Sequence, residues 1–97
     1  MSAAANKAVD KSPKLTRSQR QVLELAAAGF TATEAGAELG IGRAAVEASL
    51  GRIRERLGAR NSIEAVALAV AHGIISADAI RTHRHRRAMS RPRSKAA

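Results

Sequence analysis

The side chains able to do chemistry in this 97-residue chain fall into three sets: three histidines, scattered glutamates, and arginines concentrated in two places. The histidines are His72, His83 and His85. Two of them stand among arginines, where local positive charge disfavours both a bound metal and an imidazolium. The spacing H-R-H has no cysteine or carboxylate cluster beside it, so it does not read as a metal site. The chain has no cysteine, which removes disulfides, thiolate metal sites and a cysteine nucleophile. No serine or aspartate has an evident histidine partner for nucleophilic catalysis. No glycine-rich phosphate loop follows a strand, because no strand pattern is present. Glu24, Glu34, Glu38, Glu55 and Glu64 read as capping or solvated-face residues. No catalytic residue, metal or cofactor is expected, and the chain does not read as an enzyme.

What remains is the chemistry of cations against a polyanion. The net charge of +9 is unevenly placed. Residues 1–14 hold three Lys and one Asp, +2; residues 15–75 hold seven Arg and six Glu, +1; residues 76–97 hold six Arg, one Lys and one Asp, +6. A nearly neutral middle with a strongly basic tail favours polyanions, nucleic acid first and an anionic surface second; the plainer reading is a solubilising tail with no dedicated partner. The tail's seven cations near phosphate give salt-sensitive, sequence-independent affinity. Phe30 is the only aromatic residue, so the stacking platforms that single-strand and RNA binders use are absent.

The elements that must position these groups follow from periodicity and capping. Residues 1–14 are small, polar and charged, and read as a disordered arm. Thr16 with Gln19 makes a capping box opening a helix over 17–28, with Val22, Leu23, Ala26 and Ala27 as its apolar stripe and Gly29 as its stop. Thr31 and Glu34 repeat the capping box for a short helix ending at Gly40, with Ala35 and Leu39 on one side. Gly40, Ile41 and Gly42 link to a third helix over 43–57, with Ile41 expected to plug the turn into the core. Short helix, tight turn and longer helix is the helix-turn-helix layout. In the third helix Val46, Leu50, Ile53 and Leu57 recur at i, i+4, i+7 and i+11, a single stripe. Asn61 or Ser62 caps a fourth helix, 62–72, that is apolar nearly all round and so is expected to be buried twice, in its own core and against a partner. Ser76 is placed to cap a fifth helix through Arg87, with disorder expected beyond Met89. No stretch is long and apolar enough to span a membrane, and the N-terminus lacks the apolar core of a secretory signal.

These pieces, in this order, resemble the LuxR-type DNA-binding domain of bacterial transcription regulators. The resemblance covers residues 15–75, 61 of 97. It is carried by "LT" at Leu15–Thr16, "VLELAAAG" at 22–29, "TATEAGAELGI" at 31–41, Val46, and "RERLGARNSIEAV" at 54–66. The last piece is the most specific: sigma-factor region 4 shares the earlier rhythm but not this continuation into a fourth helix. The resemblance implies a four-helix domain that binds two half-sites as a dimer, with the third helix in the major groove and the fourth as the dimer contact. The chain departs from the family where Gly42, Ala45, Glu47 and Ser49 stand for the usual serine, threonine, lysine and histidine. Gly42 loses a side-chain cap, Ala45 a phosphate contact, and Glu47 reverses a charge, although a glutamate can accept from cytosine N4. Ser49 can still reach a phosphate.

At about 100° per residue, the point opposite the apolar stripe falls on Ala44, Ala48, Gly51 and Glu55. Arg43, Glu47 and Arg54 flank it on one side, Ala45, Arg52 and Arg56 on the other. The centre is short and smooth. One reading is that small residues let the helix sit deep in the groove, with Ala methyls against thymine methyls and Arg43 or Arg52 on guanine or phosphate. The other is that the Ala44/Ala48/Gly51 face packs on a protein partner, such as a regulator or RNA polymerase.

The expectation is therefore an all-α, four-helix domain with a fifth helix and a flexible basic tail. It acts as a small sequence-specific transcriptional regulator without a sensor domain, cytoplasmic and nucleoid-associated, in a bacterial cell or a phage-infected host. The expected DNA-binding set is Thr31, Arg43, Ala44, Ala45, Glu47, Ala48, Ser49, Arg52 and Arg56. The expected homodimer interface is Val66, Leu68, Ala69 and Val70.

Overall fold

The computed structural model describes residues 14–90, which form five helices and no strand: α1 (Arg17–Ala27), α2 (Ala32–Leu39), α3 (Arg43–Leu57), α4 (Ser62–Ala71) and α5 (Ala77–Ser90). The expected arm up to Pro13 and the tail from Arg91 onward lie outside the described residues. Four of the five helices start on a side chain that satisfies an otherwise orphaned backbone N–H. The Thr16 hydroxyl accepts from the Gln19 N–H at 3.0 Å, and the Gln19 side chain accepts from the Thr16 N–H at 3.0 Å. Thr31 and Glu34 repeat the exchange at 3.1 and 2.9 Å. Asn61, rather than Ser62, caps α4 by accepting from the Glu64 N–H at 2.8 Å. Ser76 caps α5 by accepting from the Ala79 N–H at 3.1 Å. α3 alone begins on a glycine, Gly42, with no side-chain cap.

α1 is the hub, in contact with all four other helices. This explains why its burial exceeds the expected stripe. Val22 and Leu23 are buried as expected, but so is Leu25, while Ala26 and Ala27 are half-buried. A helix packed by neighbours on several sides has no single inner face, and a one-stripe reading misses the residue on its second side. The core joins these to Leu15, Ala35, Val46, Ile53, Leu57, Ala65, Ala69 and Ile75. Val46, Ile53 and Leu57 seat α3 from one side, with Leu50 half-buried beside them.

The α2–α3 turn departs from expectation at Ile41, which is 39% exposed and does not plug into the core. The reason is the closeness of the turn's backbone to α2. The Ile41 N–H donates to the Gly36 carbonyl at 2.8 Å, and a Cβ on Gly36 would lie 2.5 Å from the Ile41 carbonyl oxygen. The main chain itself fills the space above Gly36, so the Ile41 side chain turns outward. Gly40, at φ 75°, adopts the left-handed conformation that closes α2 and allows the approach.

α5 runs three residues beyond its expected end. None of its described residues is buried; Ile80 packs half-buried at the edge of the core. No helix among the described residues is long and apolar enough to cross a membrane.

Candidate nucleic-acid interface

The α2–turn–α3 unit holds α3 by its inner stripe alone, which leaves the opposite side open. Arg43, Ala44, Ala45, Glu47, Ala48, Arg52, Glu55 and Arg56 are exposed; Ser49, Gly51 and Arg54 are half-buried. Eight of the nine expected DNA-binding residues, counting Thr31, are thus on the surface, and Ser49 is the recessed one. α2 and α3 pack closely against each other, so the Thr31 end of α2 and the outer face of α3 belong to one packed unit.

The charges on this face are partly committed. Arg43 Nε donates to Glu47 Oε2 at 3.1 Å, an i,i+4 pair with both side chains more than half exposed. Such a pair contributes a few tenths of a kcal/mol, about 0.3–0.5. A phosphate or guanine can displace it at little cost, yet Glu47 keeps a negative charge beside Arg43. Arg54 turns away from the open face: its Nη1 lies 3.5 Å from the Ser62 hydroxyl at the start of α4. Its Nη2 passes 3.8 Å from where a Cβ on Gly51 would be, an ordinary van der Waals distance. Arg52 and Arg56 are exposed and have no ion-pair partner among the described residues. They border two shallow hollows. One, of about 390 Å³, is lined by Ala48, Gly51, Arg52, Arg54, Glu55 and Ala59. The other, of about 340 Å³, lies between Gln19, Arg52, Glu55 and Arg56.

Thr31 is exposed at the start of α2, and its hydroxyl oxygen already accepts the Glu34 N–H. The hydroxyl proton remains for an outside acceptor such as a phosphate oxygen. The neighbouring Glu34 carboxylate is held below its ordinary value of 4.5, chiefly by the Thr31 N–H and then, against some desolvation, by Arg87. Arg87 Nη2 lies 3.2 and 3.3 Å from the two Glu34 oxygens and offsets the negative charge next to Thr31.

The expected dimer face needs correction at one residue. Ala69 is 0% exposed and belongs to the chain's own core, so it offers no surface to a partner. Leu68 and Val66 are half-buried and pack against that core, while Val70 is 42% exposed. The most exposed apolar side chain of α4 is Ile63, at 83%. Its spacing to Val66, Ala67 and Val70 is i+3, i+4 and i+7, a signal that a helical wheel of this segment contains. Ile63 and Val66 also line a groove of about 270 Å³ with Ala26, Ala27 and Ser62.

The glutamates assigned to caps and solvated faces include three that do more. Glu24, Glu34 and Glu38 receive His83, Arg87 and Arg86 of α5 across 48 to 59 residues of sequence. The spacing signal is present in the sequence, since Glu34 and Glu38 stand one turn apart on α2 and His83, Arg86 and Arg87 one turn apart on α5. Among the described residues no group of three His, Asp or Glu is placed to hold a metal ion.

Residues 13–69 match the family model of bacterial regulatory proteins, luxR family. Neither the curated proteins nor the solved structures compared with the chain return a match. The matched segment contains α1 to α3 and most of α4, with the open α3 face and both capping boxes. It covers well over half of the sequence, and the chain therefore belongs to the LuxR family of bacterial regulatory proteins, with these residues as its helix-turn-helix DNA-binding domain.

Proposed function

We propose that this protein is a sequence-specific transcription regulator that lays α3 in the major groove and binds two half-sites as a homodimer. The observation that carries the reading is the one-sided seating of α3: Val46, Ile53 and Leu57 lock it from beneath, and Arg43, Ala44, Ala45, Glu47, Ala48, Arg52, Glu55 and Arg56 stand exposed on the other side. On that face Arg52 and Arg56 reach phosphate or guanine, Ala44, Ala45 and Ala48 allow close approach and touch thymine methyls, and Arg43 reads the groove edge after leaving Glu47. Thr31 and Ser49 supply hydroxyl contacts to the backbone. Ile63, Val66 and Val70 on α4 join the two copies, with Leu68 supporting them from behind.

Selection from a random duplex library tests the first half. An enriched palindrome with two half-sites is the expected result. Retained affinity without enrichment reduces the role to non-specific coating. Absence of affinity favours a protein partner seated on the Ala44/Ala48/Gly51 face and its adjoining hollow. Ile63→Glu tests the second half, because its side chain is exposed and its loss leaves the core intact. Sedimentation is expected to report monomers for this variant, and a persisting dimer refutes the α4 interface.

A further inference from the structure

α5 is attached by different means from the rest of the domain. Apart from Ile80 at the core's edge, ion pairs and a hydrogen bond tie it down. His83 Nε2 lies 3.2 Å from Glu24 Oε1, with both side chains about four-fifths buried. Arg87 bonds the Glu34 carboxylate and lies over the Phe30 ring, 5.6 Å from its centroid. Arg86 pairs with Glu38 and reaches His83 Nδ1 at 3.4 Å. The residues that face the domain, 80, 83 and 87, follow the i, i+3, i+7 spacing of one helix face. Opposite them Glu24 on α1 and Glu34 and Glu38 on α2 form an acidic strip. This strip lies on α1 and α2, inside the segment that matches the family, whereas α5 lies outside it.

Two physical facts bear on this contact. Partly exposed ion pairs are weak individually, and salt screens them, whereas an apolar stripe is not loosened in this way. A DNA duplex presents the same ligand as the strip, anionic oxygens, at one charge per about 1.7 Å of axis. The acidic strip and a DNA backbone therefore bid for the same guanidinium groups. We propose that Glu24, Glu34 and Glu38 act as an internal mimic of phosphate, and that they hold α5 in an ionic clasp which duplex DNA opens. The proposal rests on the DNA-binding reading of α3 for its ligand, but not for the clasp itself. When docked, α5 has Arg86 and Arg87 neutralised and withheld, with His83 hydrogen-bonded to Glu24; when released, it adds the two guanidinium groups to the polyanion-binding surface. By linkage, each carboxylate that stabilises the clasp weakens DNA binding through α5, and each DNA contact of α5 loosens the clasp.

The absence of cysteine makes the test direct. Gln21→Cys on α1 and Ala88→Cys on α5 are both at exposed positions and take one spin label each. Dipolar distance measurement, with labelled chain diluted in unlabelled chain, reads whether α5 is docked. At about 0.05 M salt a single narrow distance is expected, and at about 0.5 M a broad, longer distribution. A duplex of about 20 base pairs, long enough for two half-sites, is expected to produce the same broadening at low salt. The double variant Glu24→Gln/Glu38→Gln is expected to be broad from the outset; Glu34 is left in place because it caps α2. A narrow distance that survives both high salt and the double variant overturns the clasp. A narrow distance that survives a duplex shown by fluorescence anisotropy to be bound overturns the competition. A duplex that does not bind refutes the DNA reading of α3, and the salt and double-variant arms then decide the clasp alone.

Discussion

α3 and α5 are nearly the same length, 15 and 14 residues, and each carries four arginines. They are held in opposite ways. α3 buries Val46, Ile53 and Leu57 and turns Arg43, Arg52 and Arg56 to solvent. α5 buries no described residue and uses Arg86, Arg87 and His83 as its attachment. Where an apolar stripe supplies the attachment, the charges are spare and can serve a ligand. Where charges supply it, they are spent internally until something stronger than a carboxylate competes for them. The same residue type is thus a presented contact on one helix and a fastening on the other.

The largest effect is expected from striking the apolar fastening. Ile53 is 0% exposed beneath the centre of α3, and Ile53→Ala is expected to cost about 3 kcal/mol by lost transfer and a residual cavity. In thermal unfolding of a domain this size that corresponds to a drop in Tm of roughly 15 °C. Ile80→Ala on α5 removes the same atoms from a half-buried site and is expected to cost about 1 kcal/mol or less, with the melting of α1–α4 nearly unchanged. Equal losses at the two sites, read by denaturant titration, break the distinction between the helices.

Next in size is Gly36→Ala. The new methyl meets the Ile41 carbonyl oxygen at 2.5 Å, a backbone atom that cannot rotate away. The turn must shift, at about 1–3 kcal/mol, and the shift moves the start of α3 relative to α2. Stability and DNA affinity are expected to fall together. A variant that loses neither shows that the turn has slack and that α3 is not rigidly aimed.

How far such features are legible in the sequence depends on the range of the interaction. Capping boxes at Thr16 and Thr31, the cap at Ser76 and the 43–57 helix are local, decided within one or two turns, and the residues announce them. The single stripe of α3 likewise marks its buried and open faces, because α3 packs from one side. Leu25 escapes a one-stripe reading because α1 is packed from several sides. Ile41 escapes it because its orientation depends on the absence of a side chain at Gly36, five residues earlier. Ala69 reads as surface because an all-apolar helix gives no contrast between its inner and outer faces. The Glu24, Glu34 and Glu38 pairings are the extreme case: each is set by how α5 folds back, 48 residues or more away in sequence. Charge patterns show which groups can pair but not which ones meet.

A smaller effect sharpens the comparison from α3's side. Arg43 is the one arginine of α3 paired with a carboxylate among the described residues, as Arg86 and Arg87 of α5 are, here with Glu47 on its own helix. Glu47→Lys removes that partner and changes the charge by two units. Non-specific duplex affinity is expected to rise about five- to tenfold at low salt, with a steeper salt dependence in fluorescence anisotropy. A fall in affinity instead identifies Glu47 as a base contact, with its carboxylate accepting from cytosine N4.

The smallest effect is read by acid. Glu34 and Glu64 are both held below the ordinary value of 4.5, Glu34 chiefly by the Thr31 N–H and Glu64 chiefly by the Arg60 N–H at 2.7 Å. For a carboxylate whose folded value is depressed, the stabilisation is fully present above 4.5 and is lost as pH falls through the lower, folded value. Protonating the two has different consequences. Glu64 serves the α3–α4 connection inside the apolar framework, so its protonation is expected to shift the Arg60 amide resonance while α3 and α4 stay packed. Glu34 is also the seat of Arg87, so its protonation loosens α5 as well as the α2 cap. In an NMR titration downward from pH 5, the Thr31 amide and the α5 resonances around Arg87 are expected to move together, with a midpoint below 4.5. An α5 that does not respond while Thr31 does leaves Glu34 as a cap alone, and moves the weight of the fastening to Glu24 and Glu38.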